Sequence, residues 1–467
     1  MKTLPQISAV SEQLPIISQN RLGVEIICGA AGSGKTSTAL LRLKSLFFMF
    51  AARRKRQGDP EPIRALVLTF NRTLAGYVRA LAEQQVSENM HIDLEIETFG
   101  RWAMSHLDIP EVQDNLARVH LRNAAQRISE LTPDYVVNEV EYLTGRFAPE
   151  DIEDYITVER TGRGTRPRIG RELRRRILSE VVEPYQAWLD NQQALDWNMV
   201  SIEMMRAENP IEYDVVVVDE SQDFSANQLR AIRHHLAAEH AITFVIDTVQ
   251  RIYARGFTWA EAGYLVRRER SHMLRTNHRN TREIATFAAG ILDGISVEGD
   301  GALPNLHAAQ RQGQLPIVLH GLYNKQAEWA INYIIDKVDL GRESVAFLKP
   351  KGGKWFSEIE RRLKIHNIPY VGITRKSEWP DGPENVALST FNSAKGLEFD
   401  YVFILGLNDK NTPHDDVEVD DRVFVLRRLL AVAVARARKE VVIGYKPGEE
   451  SRLVSYFVDG TFREIGV

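Results

Sequence analysis

The octapeptide Gly29-Ala-Ala-Gly32-Ser33-Gly34-Lys35-Thr36 constrains the fold of this chain more than any other stretch. An apolar run, Val24-Glu25-Ile26-Ile27-Cys28, precedes it, and apolar residues at helical spacing continue after it to about Ala51. Strand, glycine-rich loop and helix in that order are the context a GxxxxGK[ST] motif requires. Glycines let backbone N–H groups turn toward phosphate oxygens, Lys35 reaches the terminal phosphates, and Thr36 offers a hydroxyl to Mg²⁺. The bland alternative, glycines that merely shape a turn, stands against an uncommon match. Gly29, Gly32, Ser33, Gly34, Lys35, Thr36 and Ser37 are the candidate phosphate-binding residues.

The same alternation of element types recurs along the chain. Ala65–Phe70, Asp93–Phe99, Tyr213–Val218 and Ala241–Ile246 read as strands, the Val run of the third being typical of a strand buried on both faces. From about Ala103 to Pro210 the pattern turns helical and highly charged, as expected of an insertion. After Met273, strands are expected at Pro316–Leu319, Ser344–Leu348, Tyr370–Ile373, Val386–Ser389, Tyr401–Leu405 and Glu440–Tyr445. These patterns predict an α/β protein with parallel sheets. Residues 1–103 and 211–272 form one domain, 104–210 a helical insert, and 273–467 a second domain.

Composition narrows the function classes. The chain has 467 residues and a formal net charge of −4, which argues against a protein that coats nucleic acid by bulk charge. Any nucleic-acid track must be local. The single cysteine, Cys28, forms no internal disulfide, which suits a reducing, cytoplasmic compartment. Met1–Val10 lacks the blocks of a signal peptide, and the apolar run Ala39–Ala52 is interrupted by Arg42 and Lys44, so no membrane span is expected. The acidic stretch Asp409–Asp421 reads as a solvated loop, since no His or Cys stands at metal spacing.

A second chemical signal is Val215-Val216-Val217-Val218-Asp219-Glu220-Ser221-Gln222-Asp223. It places two carboxylates at the end of a buried strand, where ligands gather in open α/β sheets. Asp219 suits the Mg²⁺ shell, and Glu220 suits the orientation and deprotonation of an attacking water.

Asp219-Glu-Ser-Gln-Asp223 resembles the DExQD box of superfamily 1 helicases, and further boxes resembling the UvrD/Rep family follow in order. The resemblance implies two RecA-like P-loop NTPase domains, ATP and Mg²⁺ as cofactors, and 3′ to 5′ movement on single-stranded DNA, with RNA a less favoured polymer. Thr69-Phe70-Asn71 resembles a TFTN segment, implying that Phe70 stacks on a base with Asn71 beside it. Thr98-Phe99 resembles the start of a TFH box, with Gly100 where His is usual, and the resemblance makes Phe99 a candidate nucleic-acid contact. Asp247-Thr-Val-Gln250 resembles DxxQxIY, implying that Gln250 senses the terminal phosphate. Phe257 or Trp259 would supply another stacked ring.

In the second domain, Thr276-Asn277-His278-Arg279-Asn280 resembles the NYR box, implying that Arg279 reaches the γ-phosphate. Thr390 to Phe399 resembles TxHxxKGLEF, with Glu398 near the ribose and Thr390 near nucleic acid. Arg427 to Arg438 resembles RRLxYVAxTRA, implying Arg436 as a second arginine finger. Gln13, 22 residues before Lys35, suits an adenine-reading glutamine. Ser37 and His278 stand where relatives clamp the base with Arg and Tyr. Between Tyr370 and Thr390 there is no room for the large accessory subdomain of UvrD and Rep, which suggests a trimmed motor that relies on a regulatory protein partner. The alternative reading is a nucleic-acid-sensing ATPase subunit that regulates such a partner in a repair or defence complex.

The stretch Arg160 to Arg176 holds eight Arg against one Glu. Phosphate contact through Arg174 and Arg175, a solvated loop and a protein-docking site all remain open readings of it.

Overall fold

The computed structural model describes residues 9–29, 32–69, 75, 78–79, 91–160, 169–247, 257–295, 309–350, 356–374, 380, 382–412 and 421–467. Two parallel sheets organise it. The first takes the order β3-β2-β4-β5-β1-β6 from β1 (Gly23–Gly29), β2 (Ile63–Thr69), β3 (Ile92–Thr98), β4 (Tyr213–Val218), β5 (Leu236–Asp247) and β6 (Ser271–Leu274). Every pairing in it is parallel. All six residues of β4 are buried, as its unbroken apolar run requires of a strand covered on both faces.

The strand period of two separates those residues between two cores. Val215 and Val217 face a core that holds Leu40, Leu43 and Phe47 of the helix Lys35–Gln57. Val216 and Val218 face another, with Phe99, Trp102, Val200 and Met204. Helices Phe99–His106 and Trp197–Met205 thus cover the first sheet. The insert has its own core, running from Ala117 to Ala194.

The second sheet has the order β11-β12-β10-β13-β14-β9-β15, again all parallel. Its strands are β9 (Ile317–His320), β10 (Val345–Lys349), β11 (Tyr370–Gly372), β12 (Val386–Thr390), β13 (Phe399–Ile404), β14 (Ala437–Tyr445) and β15 (Arg463–Gly466). A small ribbon of β7 (Asn277–Thr281) and β8 (Ala309–Arg311) stands apart. The six expected strands lie within a few residues of β9 to β14. Two further strands join these sheets. β6 pairs with β1 from Ser271 to Leu274, so this strand spans position 272. β15 was not foreseen, and Cys28 is half-buried.

One buried charge cluster fastens the first sheet. The Glu25 carboxylate, fully enclosed on β1, accepts from Arg21 Nη2 at 3.3 Å, Arg270 Nη1 at 3.4 Å and His272 Nε2 at 2.8 Å. Arg42 is also buried; its Nε donates to Thr243 Oγ1 at 3.3 Å, and burial depresses its guanidinium to about 10. Burial would raise the Glu25 carboxyl, but His272 and the arginines more than offset it and hold it below the ordinary range. A depressed carboxylate stabilises the fold above its unfolded-state value and loses that contribution as pH falls through the folded-state value. Glu25→Gln is therefore expected to cost roughly 3–5 kcal/mol at neutral pH and to flatten the acid limb of the stability curve. Denaturant titrations across pH 3 to 7 measure both, and an unaltered acid limb refutes the assignment.

Candidate active site

β1 delivers the glycine-rich loop to the carboxyl edge of the first sheet. A Cβ on Gly29 would lie 2.7 Å from the Leu274 carbonyl of β6 and 2.5 Å from Ser33 Oγ, so only glycine lets these strands close. Gly32 and Gly34 take positive φ, 83° and 78°, and the helix Lys35–Gln57 starts directly after them. Ser33 and Lys35 are buried, and Ser37 is half-buried in the first turn. Gln13, also buried, donates through Nε2 to the Ser33 carbonyl at 3.3 Å and the Gly34 carbonyl at 3.5 Å. It therefore lies against the loop that the sequence assigned to phosphate.

β4 delivers the carboxylates to the same edge. The Asp219 N–H donates to the Leu68 carbonyl at 2.8 Å, and Thr36 Oγ1 donates to the Asp219 carboxylate, 3.1 Å from each oxygen. Burial raises the Asp219 carboxyl and the Glu220 charge adds to that, while Thr36 and Lys35 draw it back. Glu220 sits at φ 51°, a left-handed conformation uncommon for a residue with a side chain. Gln222 Nε2 donates to Glu220 Oε2.

A hydroxyl beside one carboxylate fits Mg²⁺, which takes oxygen ligands, retains waters and uses one or two carboxylates together with substrate phosphates. Among the described residues no group of three or more His, Cys, Asp and Glu side chains forms a metal cluster of protein ligands alone.

The second domain reaches into this edge. A Cβ on Gly32 would lie 2.3 Å from Asn277 Oδ1 and 2.8 Å from Arg279 Cβ, so the loop packs directly against the NHR segment. Arg279 Nη2 pairs with Glu398, while its Nε and Nη1 are buried and have no hydrogen-bond partner among the described residues. Burial alone would raise the Glu398 carboxyl, but Arg279, Arg438 and Arg436 hold it below the usual range. Arg436 is buried, with Nη1 3.5 Å from the Leu397 carbonyl. Lys395 pairs with Asp223 and stands 3.7 Å from Glu220 Oε2. Sequence reasoning gave Lys395 no role, although it lies within the KGLEF box. It likewise passed over Asn277, Asn280 and Gln222.

The expected nucleic-acid residues divide. Phe70, Asn71 and Gln250 lie outside the described residues. Phe99 does not offer a base platform: it is 4% exposed and packs edge-on against Trp102 and Phe224, since its helix covers the first sheet. Phe257 is 7% exposed in the same core, and the Trp259 ring lies 4.4 Å from that of Phe244. Phe257 thus packs the domain, while Trp259 is half-buried at the edge of that core. Thr390, half-buried at the end of β12, donates to Ser393 Oγ at 3.1 Å.

Arg174 is bound within the insert. Its guanidinium donates to the backbone carbonyls of Ile169, Tyr155 and Val158 at 3.2, 2.9 and 2.8 Å. Nearby Arg160 binds the buried Glu139 through two bonds of 2.6 and 2.8 Å. Arg176 pairs with Glu130 and Glu180, whereas Arg175 is exposed beside Glu172. The arginines described here mostly hold the insert together. Residues 161–168, which carry three more, lie outside the described residues.

Comparison with known proteins supplies the context. The model of the UvrD/REP helicase N-terminal domain matches residues 11–272, and that of the UvrD-like helicase C-terminal domain matches residues 374–447. A probable DNA helicase of Mycoplasma pneumoniae is 23% identical over 456 residues, covering 89% of this chain and 79% of that protein. ATP-dependent DNA helicase Rep of Escherichia coli is 38% identical over 69 residues, 15% of this chain and 10% of Rep. ATP-dependent DNA helicase PcrA of Staphylococcus aureus is 31% identical over 101 residues, 20% of this chain and 13% of PcrA. The matched stretches thus span about a tenth of Rep and PcrA.

The carbonyl-bound Arg174 has a measurable consequence. Arg174→Ala is expected to destabilise the insert by about 1–3 kcal/mol, seen as a lower denaturation midpoint. The salt dependence of single-stranded DNA binding should stay unchanged, whereas a log–log slope shallower by about 1 would restore the phosphate reading.

Proposed function

The chain belongs to the UvrD/REP helicase family, and on that premise we propose that it is an ATP-driven motor that moves 3′ to 5′ on single-stranded DNA. One observation carries the reading: side chains of both domains meet at one sheet edge, with Arg279 against the glycine-rich loop and Lys395 against Asp223 and Glu220. Lys35 and the loop amides bind the phosphates of ATP, and Thr36 and Asp219 would hold Mg²⁺. When bound, that ion neutralises phosphate charge. Glu220 orients the attacking water and accepts its proton. Arg279 and Arg436 stabilise the charge that develops on the transferred phosphoryl group, so hydrolysis depends on the second domain being in place. Glu398 serves the ribose and Gln13 the adenine. Phe70 and Asn71 contact the strand, Gln250 links phosphate to track, and Thr390 and the exposed Arg175 are further contact candidates.

A second reading rests on the direct pairing of β11 with β12. Only residues 373–385 join these strands, leaving no accessory subdomain there. A chain so trimmed suits an ATPase subunit that senses nucleic acid and regulates a partner protein. Duplex unwinding separates the readings: a motor displaces a strand from a substrate with a 3′ overhang and not from one with a 5′ overhang, whereas a sensor hydrolyses ATP without displacement.

Steady-state hydrolysis tests both. Single-stranded DNA should stimulate the wild type more than RNA does, and Lys35→Ala and Glu220→Gln should each lower the stimulated rate by at least about 10²-fold. Equal stimulation by RNA would reassign the polymer, and activity retained in Glu220→Gln would remove that residue from the chemistry.

A further inference from the structure

Asn280 is 1% exposed, and its side-chain amide is fully used. Nδ2 donates to the Ala435 carbonyl at 3.0 Å and to the Ala437 carbonyl at 2.6 Å. Oδ1 accepts from Asn277 Nδ2 at 3.0 Å. The two carbonyls flank Arg436, and Asn280 itself directly follows Arg279. Asn277 Oδ1 in turn accepts the N–H groups of Arg279 and Asn280 at 3.0 and 3.1 Å. That oxygen is the atom packed against Gly32 of the phosphate loop.

The far ends of both arginines return to one short segment. Arg279 reaches Glu398, Arg436 Nη1 lies 3.5 Å from the Leu397 carbonyl, and the Phe399 N–H donates to the Arg436 carbonyl at 3.0 Å. Segments 277–280, 435–437 and 397–399 therefore close a ring around the two guanidinium groups. We propose that Asn280 is a positioning residue that fixes Arg279 and Arg436 relative to each other, so that they meet the phosphates as one unit in register with the loop. The inference rests on the phosphate-directed role given to the arginines above. A primary amide is the side chain for this place, because it supplies two donors and one acceptor in a plane. Aspartate would lack the donors, and serine has one.

The test compares Asn280→Ala and Asn280→Ser with Arg279→Ala, Arg436→Ala and the Asn280→Ala/Arg436→Ala double variant. DNA-stimulated kcat, KM for ATP, melting temperature and affinity for ADP with and without aluminium fluoride are measured on the full chain. Misplacing a catalytic group by about 1 Å costs on the order of 10²-fold, so Asn280→Ala should lower kcat by about 10- to 100-fold. KM and ADP affinity should stay within about twofold, while affinity for ADP–aluminium fluoride falls with kcat. In the Arg436→Ala background the same change should add less than about threefold, since residues that act together are not additive.

Asn280→Ser, with one donor in place of two, should show the same split at smaller size, and it serves if the alanine variant does not fold. A loss of kcat in the arginine variants but not in a folded Asn280 variant, or a fully additive double variant, overturns the inference alone. Full activity in both arginine variants overturns the reading of the arginines and the inference together.

Discussion

The hydroxyl of Thr36 and the carboxylate of Asp219 meet 3.1 Å apart, and the first domain is arranged so that they can. They belong to different strand ends, β1 and β4, with β5 between them. Only parallel strands bring both following loops to the same edge. Register then sets the fit: Gly29 pairs with Asp247 of β5, and Val218 pairs with Phe244 of the same strand. A carboxylate enclosed there is costly, as the raised Asp219 carboxyl records, and Thr36 and Lys35 offset part of that cost.

The second domain answers with positive charge. Its arginines and Lys395 stand at the same edge, each against a carboxylate or carbonyl within reach. Arg279 is held with two buried N–H-bearing nitrogens lacking a hydrogen-bond partner among the described residues. A buried donor left so costs about 1–3 kcal/mol, which the ring of segments around Arg279 must sustain.

How far this was legible in the sequence depended on how local each signal is. Gly29 to Thr36 and Val215 to Asp223 carry loop, strand and chemistry within a few residues, and the structure brings them together. Ser271–Leu274 offered no such pattern: it is short, half polar, and a strand only because β1 lies beside it. Phe99 and Phe257 show the limit for aromatics, since a ring that could stack on a base is equally a core residue once helices close over it. Asn280 was invisible because its partners are some 155 and 157 positions away in the chain.

The arginine-rich insert shows that charge density alone does not say what an arginine does. Polar ties carry its loops: Arg174 donates to four backbone carbonyls, those of Tyr155, Ile156, Val158 and Ile169, and Arg160 neutralises the buried Glu139. Composition does not separate an arginine that caps a loop from one that waits for a phosphate; only the positions of acceptors do. The same economy joins insert to site. The helix Ala226–His234 begins three residues beyond Asp223. It carries Asn227, which donates to the Thr144 and Phe147 carbonyls, and Arg230, which donates to the Arg146 carbonyl. Arg146 closes the joint through Glu261 at 2.6 Å. The anchor of the insert and the carboxylates of the site are thus consecutive parts of one packed segment, so neither can shift without straining the other's hydrogen bonds.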